Sequence, residues 1–206
     1  MQQIYLDNAA TTPVRPEVEE VMQPYFCEKY GNPSGIYKMA SECRQALETV
    51  RKQIGETLKV SAEEIYFTSG GTESDNWAIK STAQRLKEKG KHIITSKIEH
   101  HAVLNSCAYL ETQGFEVTYL DVDEWGCVRF DVLQRAIRKD TILISIMYAN
   151  NEVGTIQPIG QIGKIAKEND IFFHTDAVQA YGQIPIDVKR ENIHLLSASA
   201  HKFNGP

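Results

Sequence analysis

The segment TILISIMYANNEVGTIQPIGQIGKIAKENDIFFHTDA (141–177) decides the fold. It contains an apolar run at 141–149, an amphipathic stretch at 159–169 and a second apolar run at 171–177. Short apolar strands on either side of a helix are typical of a β-α-β unit, in which the two strands are parallel and buried on both faces. The segment therefore predicts an α/β fold with a mostly parallel sheet.

The same alternation of strand and helix continues through most of the chain. Further strands are predicted at 65–69, 92–96, 115–122 and 194–200. Further helices are predicted at 15–29, 37–57, 72–89, 101–113 and 129–139. Because helices that connect parallel strands cover both faces of the sheet, we expect a three-layer α/β/α architecture. The strand at 194–200 is expected to lie centrally in the sheet.

Length and charge exclude several classes of protein. The chain has 206 residues, a length that fits one domain or two small ones. Its formal net charge of −5 gives no broad attraction to nucleic acid or to anionic membranes. The first residues lack the basic and apolar regions of a signal peptide, and no apolar run approaches the ~20 residues that cross a bilayer. We therefore expect a cytoplasmic protein.

The four cysteines lie far apart and form no C-x-x-C pair. This spacing argues against a disulfide framework and against a zinc site. We therefore predict no bound metal, and reduced thiols at Cys27, Cys43, Cys107 and Cys127.

Polar residues collect where the predicted strands end. The carboxyl ends of parallel strands meet at one edge of an open sheet, which is where such sheets bind ligands. The sequence therefore predicts a ligand site at this edge. The polar and glycine residues placed there are Gly70, Gly71, Thr72, His100, Asn150, Asn151, Asp176, His201 and Lys202.

The motif YFTSGGTESDNWAIK (66–80) leads from a strand through two glycines into a helix. Glycine lets a ligand approach the backbone closely, and the free amides at a helix N-terminus attract a phosphate. Gly71 and Thr72 are therefore candidate phosphate-binding residues. The structural alternative is a tight turn in which Thr72 is the N-cap and Asp75 has a capping-box role.

His100 and His101 stand at a predicted strand-to-helix junction. The imidazole of His100 can stack on a planar ligand or carry a proton. Adjacent side chains point in different directions, so we do not expect the two histidines to bind one metal ion. The structural alternative is that His100 lies in the cap region and His101 begins the helix.

Amide and carboxyl side chains follow two of the apolar strands. Asn150 and Asn151 are typical of a turn, although an asparagine there can also bind a ligand oxygen. Asp176 ends a strongly apolar run, so its carboxylate needs a partner. A protonated heterocyclic nitrogen suits it, and a salt bridge or helix cap is the structural alternative. Gln179, one turn further on, can reach the same ligand.

The last ten residues, SASAHKFNGP (197–206), place Lys202 after small residues that leave room for a flat group. Ser199 and His201 can donate hydrogen bonds to a phosphate. A lysine with a shifted pKa at such a place can form a Schiff base, and a surface lysine is the structural alternative. A phosphate site, an acid for a ring nitrogen, a stacking imidazole and a Schiff-base lysine are together what pyridoxal 5′-phosphate requires.

Seven motifs resemble those of the cysteine desulfurases of the NifS/IscS class, which belong to the class V aminotransferase family and to the fold-type I pyridoxal phosphate enzymes. The motifs span the chain and are YLDNAATT, GNPSGIY, TSGGTESDN, EHHAVL, NNEVGTIQPI, HTDAVQA and SAHKFNGP. The resemblance implies that residues 15–206 are an incomplete large domain that binds the cofactor. It also implies that residues 1–14, including Asn8 and Ala9, lie near the active site and that a C-terminal small domain is absent.

The resemblance also implies a role for each candidate residue. Lys202 would bond covalently to the cofactor, while His100 would stack on the ring and, like Lys202, move protons. Asp176 would pair with the ring nitrogen, and Asn151 and Gln179 would bind the phenolic oxygen. The residues that contact the phosphate or flank the lysine would be Gly71, Thr72, Ser199 and His201.

The implied reaction converts L-cysteine to L-alanine and passes the sulfur to an enzyme cysteine, for iron–sulfur cluster assembly or thiolation. The implied partners are a second copy of the chain, as a homodimer, and an iron–sulfur scaffold or other sulfur-acceptor protein. None of the four cysteines occupies the position of the family's persulfide cysteine, so we expect an inactive fragment. The alternatives are a selenocysteine lyase, another class V aminotransferase-like enzyme, or a non-catalytic scaffold with this fold.

Overall fold

The computed structural model describes residues 4–206, in which five parallel strands form one sheet. The strands are β1 (His92–Ser96), β2 (Glu116–Leu120), β3 (Thr141–Ser145), β4 (Phe172–Asp176) and β5 (Leu195–Ser197). Their order across the sheet is β2-β1-β3-β4-β5. The order reverses between β1 and β3, and a reversal of this kind opens a crevice at the carboxyl ends of the strands.

Six α-helices flank or precede the strands within residues 4–206. They are α1 (Pro16–Cys27), α2 (Lys38–Leu58), α3 (Gly71–Leu86), α4 (His101–Thr112), α5 (Phe130–Ala136) and α6 (Ile159–Glu168). Two short 3₁₀ turns lie at Ala62–Glu64 and Ala200–Lys202. None of the helices in this part of the chain is both long and apolar enough to cross a membrane.

Two hydrophobic cores lie on opposite faces of the sheet. Successive strand residues point to opposite faces, so Ile93 joins one core and Ile94 the other. The core around Ile93 includes Ile79 of α3 and side chains of α4. The core around Ile94 includes Ile162 of α6 and side chains of α2 and α5. The predicted three-layer α/β/α architecture is therefore confirmed.

Two strand predictions are wrong in the described part of the chain. Within residues 4–206, residues 65–69 pair with no neighbouring strand, and the carbonyl of Ile65 accepts a hydrogen bond from Arg51 Nε (3.2 Å). The strand predicted at 194–200 is shorter, and as β5 it lies at an edge of the sheet rather than centrally. A strand needs a ladder partner, which the pattern of one segment does not reveal.

Phe173 on β4 is fully buried, whereas the neighbouring Phe172 is 39% exposed. Replacing Phe173 by alanine removes a large side chain from the core around Ile94 and leaves a cavity. We expect the free energy of unfolding to fall by about 3–5 kcal/mol. Phe172→Ala is the matched control, and urea unfolding monitored by circular dichroism measures both. Equal losses for the two variants would contradict this placement of the core.

Candidate active site

A cavity of about 530 Å³ opens at the carboxyl ends of the strands, a size typical of small-molecule sites. The structure brings nine of the predicted residues to its wall, although the chain separates them by up to 131 positions (202 − 71), whereas Gly70 and Asn150 do not line it. The nine are Gly71, Thr72, His100, Asn151, Asp176, Gln179, Ser199, His201 and Lys202. Ala9 of the N-terminal segment also lines the cavity, whereas Asn8 is exposed and does not.

The N-terminus of α3 points free backbone amides at the cavity. Gly70 has φ 154° and ψ −179°, a conformation open essentially only to glycine, and the helix begins at the next residue. Within residues 4–206, the amides of Gly71 and Thr72 have no hydrogen-bond acceptor. The first amides of a helix lack intrahelical partners and carry the positive end of its dipole. This end of α3 can therefore hold an anion such as a phosphate.

The capping box considered for this helix is absent from its first turn. Gly70 is the N-cap, so Thr72 already lies inside α3, and no side chain caps the helix. Asp75 is only 1% exposed and does not reach back to the backbone. Glu73 instead accepts a hydrogen bond from the Ser69 amide (2.5 Å). The structural alternative based on Thr72 and Asp75 is therefore wrong.

Gly71 permits close packing of α3 against the cavity wall, because a Cβ atom there would lie 2.8 Å from Val178 Cγ2. We expect Gly71→Ala to displace the helix N-terminus and to weaken pyridoxal phosphate binding by roughly tenfold, the loss of about one hydrogen bond to a charged group. Equilibrium titration monitored by absorbance measures the affinity.

Gly160 provides the matched control for this substitution. It also lies in a helix, but a Cβ atom there would approach nothing closer than Glu191 Cγ at 3.9 Å. Gly160→Ala should leave affinity unchanged and should stabilise the fold by up to about 1 kcal/mol. Unchanged affinity in Gly71→Ala would exclude the α3 N-terminus as the phosphate site.

His100 both caps a helix and lines the cavity. It is the N-cap of α4, and its Nδ1 accepts a hydrogen bond from the Ala102 amide (3.1 Å). The prediction that His100 lies in the cap region is therefore confirmed, and His101 begins the helix as expected. With Nδ1 as acceptor, the neutral ring carries its proton on Nε2. The capping contact thus fixes the ring at the cavity wall with a donor available.

The two adjacent asparagines have different environments. Asn150 is buried, and its Oδ1 accepts hydrogen bonds from the Glu152 and Val153 amides, which confirms the predicted turn. Asn151 follows it and lines the cavity, where its Nδ2 donates to Glu152 Oε1 (2.6 Å). Of the pair, only Asn151 is placed to contact a ligand.

Asp176 ends β4 at the floor of the cavity and is 5% exposed. Its Oδ1 accepts a hydrogen bond from the Val178 amide (2.9 Å), and no cationic side chain within residues 4–206 forms a salt bridge with it. Burial raises the pKa of Asp176, while this amide and the charge of Lys202 lower it. The carboxylate is therefore buried with spare hydrogen-bonding capacity, which suits a cationic ring nitrogen.

Lys202 lies in the 3₁₀ turn after β5, with its amine at the cavity rather than in bulk solvent. Its Nζ donates hydrogen bonds to the carbonyl oxygens of Ala9 (2.5 Å) and Ala10 (3.0 Å). Thr12 fixes the same turn, because its amide and hydroxyl both donate to the His201 carbonyl. We call residues 7–15 the N-terminal strap, and it holds the lysine turn in place.

The strap also reaches the other side of the cavity. Gln179 Nε2 donates to the carbonyl of Ala9 (2.8 Å), so one carbonyl oxygen receives hydrogen bonds from both Gln179 and Lys202. His201 Nδ1 lies 3.1 Å from Thr11 Oγ1. These contacts join residues that are 170 to 193 positions apart in sequence, and therefore no local pattern predicts them.

Sequence reasoning missed several residues of the cavity wall and its surroundings. Asp75 left a signal, since it shares the apolar face of α3 with Ile79 and Ala83, where a carboxylate is unexpected. Glu99 lies behind the cavity wall, and its Oε1 accepts from Ser96 Oγ (2.6 Å) and the Met147 amide (3.0 Å). The other lining residues missed are Asp7, Ala10, Met147, Ala149, Glu152 and Val178.

Glu99 predicts a distinctive dependence of stability on pH. Burial raises its pKa to about 8 from an ordinary value of ~4.3. The folded protein therefore retains this proton over a range where the unfolded chain has lost it. The resulting stabilisation is full below pH ~4 and is lost as pH rises towards about 8. Relative to Glu99→Gln, the wild-type protein should become less stable across that range.

The exposed Glu116 gives a control of opposite sign. Its hydrogen bond and charge interaction with Arg138 lower the pKa of Glu116. Relative to Glu116→Gln, the wild-type protein should therefore keep its advantage at neutral pH and lose it as pH falls below ~4. Urea unfolding at several pH values measures both trends. A flat difference between wild type and Glu99→Gln would contradict the buried protonated state.

Comparison with known proteins places this arrangement in a family. The family model described as "Aminotransferase class-V" matches residues 4–206. The cysteine desulfurase IscS of Methanosarcina thermophila is 64% identical over 203 residues, which cover 98% of this chain and 50% of that protein. The chain thus spans about half the length of the curated relatives that it matches.

Solved structures give the same result. A NifS-like protein superposes with a TM-score of 0.96 at 43% identity, covering 100% of this chain and 57% of the other. A structure described as SspA in complex with cysteine also gives a TM-score of 0.96, at 45% identity, covering 99% of this chain and 59% of the other. The chain therefore belongs to the class V aminotransferase family, whose enzymes depend on pyridoxal 5′-phosphate, and is a homologue of the IscS and NifS cysteine desulfurases.

Proposed function

We propose that this chain is the cofactor-binding part of a pyridoxal phosphate-dependent cysteine desulfurase. One observation carries the proposal: the Lys202 amine lines the same cavity as the buried Asp176 carboxylate and the free amides of Gly71 and Thr72. Residues 15–206 would form the large domain, with residues 4–14 beside the active site. Residues 1–3 lie outside the described part of the chain.

The residues present fit the cofactor. The carboxylate of Asp176 is buried, and within residues 4–206 only the Val178 amide donates to it, so it can still accept from a ring nitrogen. The helix amides at Gly71 and the hydroxyls of Thr72 and Ser199 form a donor set for a phosphate. Each of these groups addresses a different part of the same small molecule, which supports one ligand rather than several.

The side chains of the cavity then have separate tasks. Gly71, Thr72 and Ser199 would hold the phosphate, and Lys202 would attach the cofactor through its amine. Asp176 would keep the ring nitrogen protonated. When bound, pyridoxal phosphate supplies an electron-withdrawing ring that stabilises negative charge at the substrate α-carbon.

Two groups of this chain can move the protons that the reaction requires. Lys202 Nζ lies at the cavity, and His100 Nε2 carries the proton of the neutral ring, because Nδ1 accepts from the Ala102 amide. His100 would also stack on the ring. Asn151 and Gln179 would bind the phenolic oxygen, which would require Gln179 Nε2 to exchange its present contact with Ala9.

Cysteine is the proposed substrate, by analogy with the related SspA structure that contains it. In the proposed reaction L-cysteine and a thiol give L-alanine and a persulfide, and a second thiol releases sulfide and leaves a disulfide. None of Cys27, Cys43, Cys107 and Cys127 lines the cavity. The accepting thiol would therefore come from elsewhere, and a homodimer and a scaffold for iron–sulfur clusters are the proposed partners in a cytoplasmic pathway.

The test is to load the chain with pyridoxal phosphate and to add L-cysteine with dithiothreitol as sulfur acceptor. We expect the chain to be inactive without the added thiol, because its own cysteines do not supply the persulfide cysteine. With dithiothreitol in that role we expect equal amounts of alanine and sulfide, and neither product when Lys202 is replaced by alanine. Release of pyruvate instead of alanine would indicate β-elimination rather than desulfuration. No product from the loaded wild-type chain would reject the activity for this part of the protein.

A further inference from the structure

Asp75 is a second buried carboxyl beside Asp176. It lies on the face of α3 that packs against β4 and β5, is 1% exposed, and lines the same cavity as Asp176. Within residues 4–206, its Oδ1 has no hydrogen-bond partner. Buried carboxylates are rare unless paired, because burial penalises the charged form. The structural role of a helix cap does not explain this residue, since Gly70 caps α3 without it.

The nearest basic group does not neutralise Asp75. His174 Nε2 lies 3.6 Å from Asp75 Oδ1, beyond hydrogen-bonding distance. The imidazole is engaged elsewhere, with Nδ1 2.8 Å from Ser145 Oγ and Nε2 3.1 Å from Ser197 Oγ. Burial lowers the pKa of His174 to about 3, so the ring is neutral at physiological pH. Asp75 therefore faces no positive charge from β4.

The surroundings of the two aspartates differ. Burial and the charge of Asp176 together raise the pKa of Asp75 to about 8, against the lowering effect of a hydrogen bond with Ser197. Burial also raises the pKa of Asp176, but the Val178 amide and the charge of Lys202 oppose that rise. Two nearby carboxyls lose their protons in separate steps. The Val178 amide and the Lys202 cation favour negative charge on Asp176, and the proton is retained by Asp75.

Glu99 is the third buried acid that faces this region. It accepts hydrogen bonds from Ser96 Oγ and from the Met147 amide, both through Oε1. Burial raises its pKa to about 8 as well. At neutral pH Glu99 is therefore mostly protonated, and it adds little negative charge beside the aspartates.

We propose that Asp75 is a positioning residue that shares one proton with Asp176 and, by retaining it, leaves Asp176 as the single anion on the cavity floor. A protonated ring nitrogen would then meet one negative charge and donate its hydrogen bond to Asp176, while the proton of Asp75 stays in place. The inference rests on the proposed function for the identity of that ring. The sharing of the proton is a property of the chain itself.

Carbon-13 NMR of the aspartate carboxyl groups tests the pair in the chain without added cofactor. We expect the Asp75 carboxyl to be protonated at neutral pH in the wild-type protein while Asp176 is ionised. In Asp176→Asn, which removes the negative charge that raises the pKa of Asp75, the titration midpoint of Asp75 should fall by roughly one pH unit, a tenfold change in proton affinity. Asp121→Asn, the same substitution at an exposed residue paired with Lys97, should leave that midpoint unchanged.

Two outcomes would overturn the inference. One is an Asp75 carboxyl that titrates near its ordinary value of ~3.9 in the wild-type protein, a result that does not depend on whether the variant folds. The other is a folded Asp176→Asn variant in which Asp75 titrates as before. A purely structural role for Asp75 would leave its own midpoint unmoved by that substitution.

A separate measurement distinguishes this inference from the proposed function. Borohydride treatment after addition of pyridoxal phosphate should label Lys202 in both the wild-type protein and Asp75→Asn. In the variant, the pH midpoint of the cofactor absorbance band should shift. Absence of label in the wild-type protein would reject the proposed function, but the NMR result would still support the proton-sharing pair. Label without the NMR shift would reject only the pair.

Discussion

Replacing Lys202 by alanine is expected to abolish the covalent adduct between this chain and pyridoxal phosphate. The wild-type chain should turn yellow on addition of the cofactor, and borohydride should fix one cofactor on Lys202. Lys202 lines the cavity, and within residues 4–206 its amine donates only to the backbone carbonyls of Ala9 and Ala10, so it is available to an aldehyde once those contacts open. Absorbance and peptide mass spectrometry measure the adduct.

Lys202→Arg separates the chemistry of the amine from its charge. Arginine keeps a positive group that can donate to the carbonyls of Ala9 and Ala10, but its guanidinium stays protonated and is not a nucleophile for a Schiff base. This variant should retain the fold and still form no adduct. Lys97→Ala, at an exposed lysine, should be labelled as the wild type is. An adduct that persists in either Lys202 variant, on another lysine, would contradict the assignment.

Asp176→Asn should produce the second large effect, a loss of affinity for the cofactor. Asparagine can still accept the hydrogen bond from the Val178 amide through Oδ1, so the local fold is kept while the negative charge is removed. Truncating one partner of a buried charge pair costs about 2–5 kcal/mol, which corresponds to a roughly 30-fold or greater increase in the dissociation constant. Titration of the chain with pyridoxal phosphate measures this change.

The control for that variant is Asp187→Asn. Asp187 forms a salt bridge with Lys59 on the surface, so its replacement removes the same charge far from the cavity lining. Its dissociation constant for the cofactor should match that of the wild-type chain. If Asp176→Asn binds the cofactor equally well, the ring nitrogen does not contact this carboxylate, and the role inferred from the resemblance fails.

The sequence predicted most of the fold because local patterns determine most of it. Strand β1 occupies the residues predicted, 92–96, since five consecutive residues there are buried. The strand predicted at 65–69 failed for the opposite reason: its apolar side chains resemble a strand, yet Tyr66 is 69% exposed and no strand within residues 4–206 pairs with this segment. The position of a strand within a sheet also depends on partners distant in sequence. This explains why β5 was predicted to lie centrally although it lies at an edge.

The candidate site was predictable where a residue type is unusual in its surroundings. Asp176 after an apolar strand and Lys202 after a run of small residues both stand out in the printed sequence. Asp75 stands out less, because its position on the apolar face of α3 is unusual but its place beside Asp176 depends on how α3 packs against β4 and β5. The contacts of the N-terminal strap were also hidden, since backbone carbonyls belong to every residue and leave no mark in the sequence.

The hydrogen bonds between the strap and Lys202 affect which sequence changes the strap can tolerate during evolution. The oxygens that receive the amine belong to the peptide backbone at positions 9 and 10, so side-chain replacement at these positions leaves the acceptors intact. A one-residue deletion between positions 9 and 15 would instead slide every carbonyl out of register with the lysine. Lineages should therefore tolerate substitution more readily than a change in length here, and a screen of insertions and deletions would reveal that asymmetry.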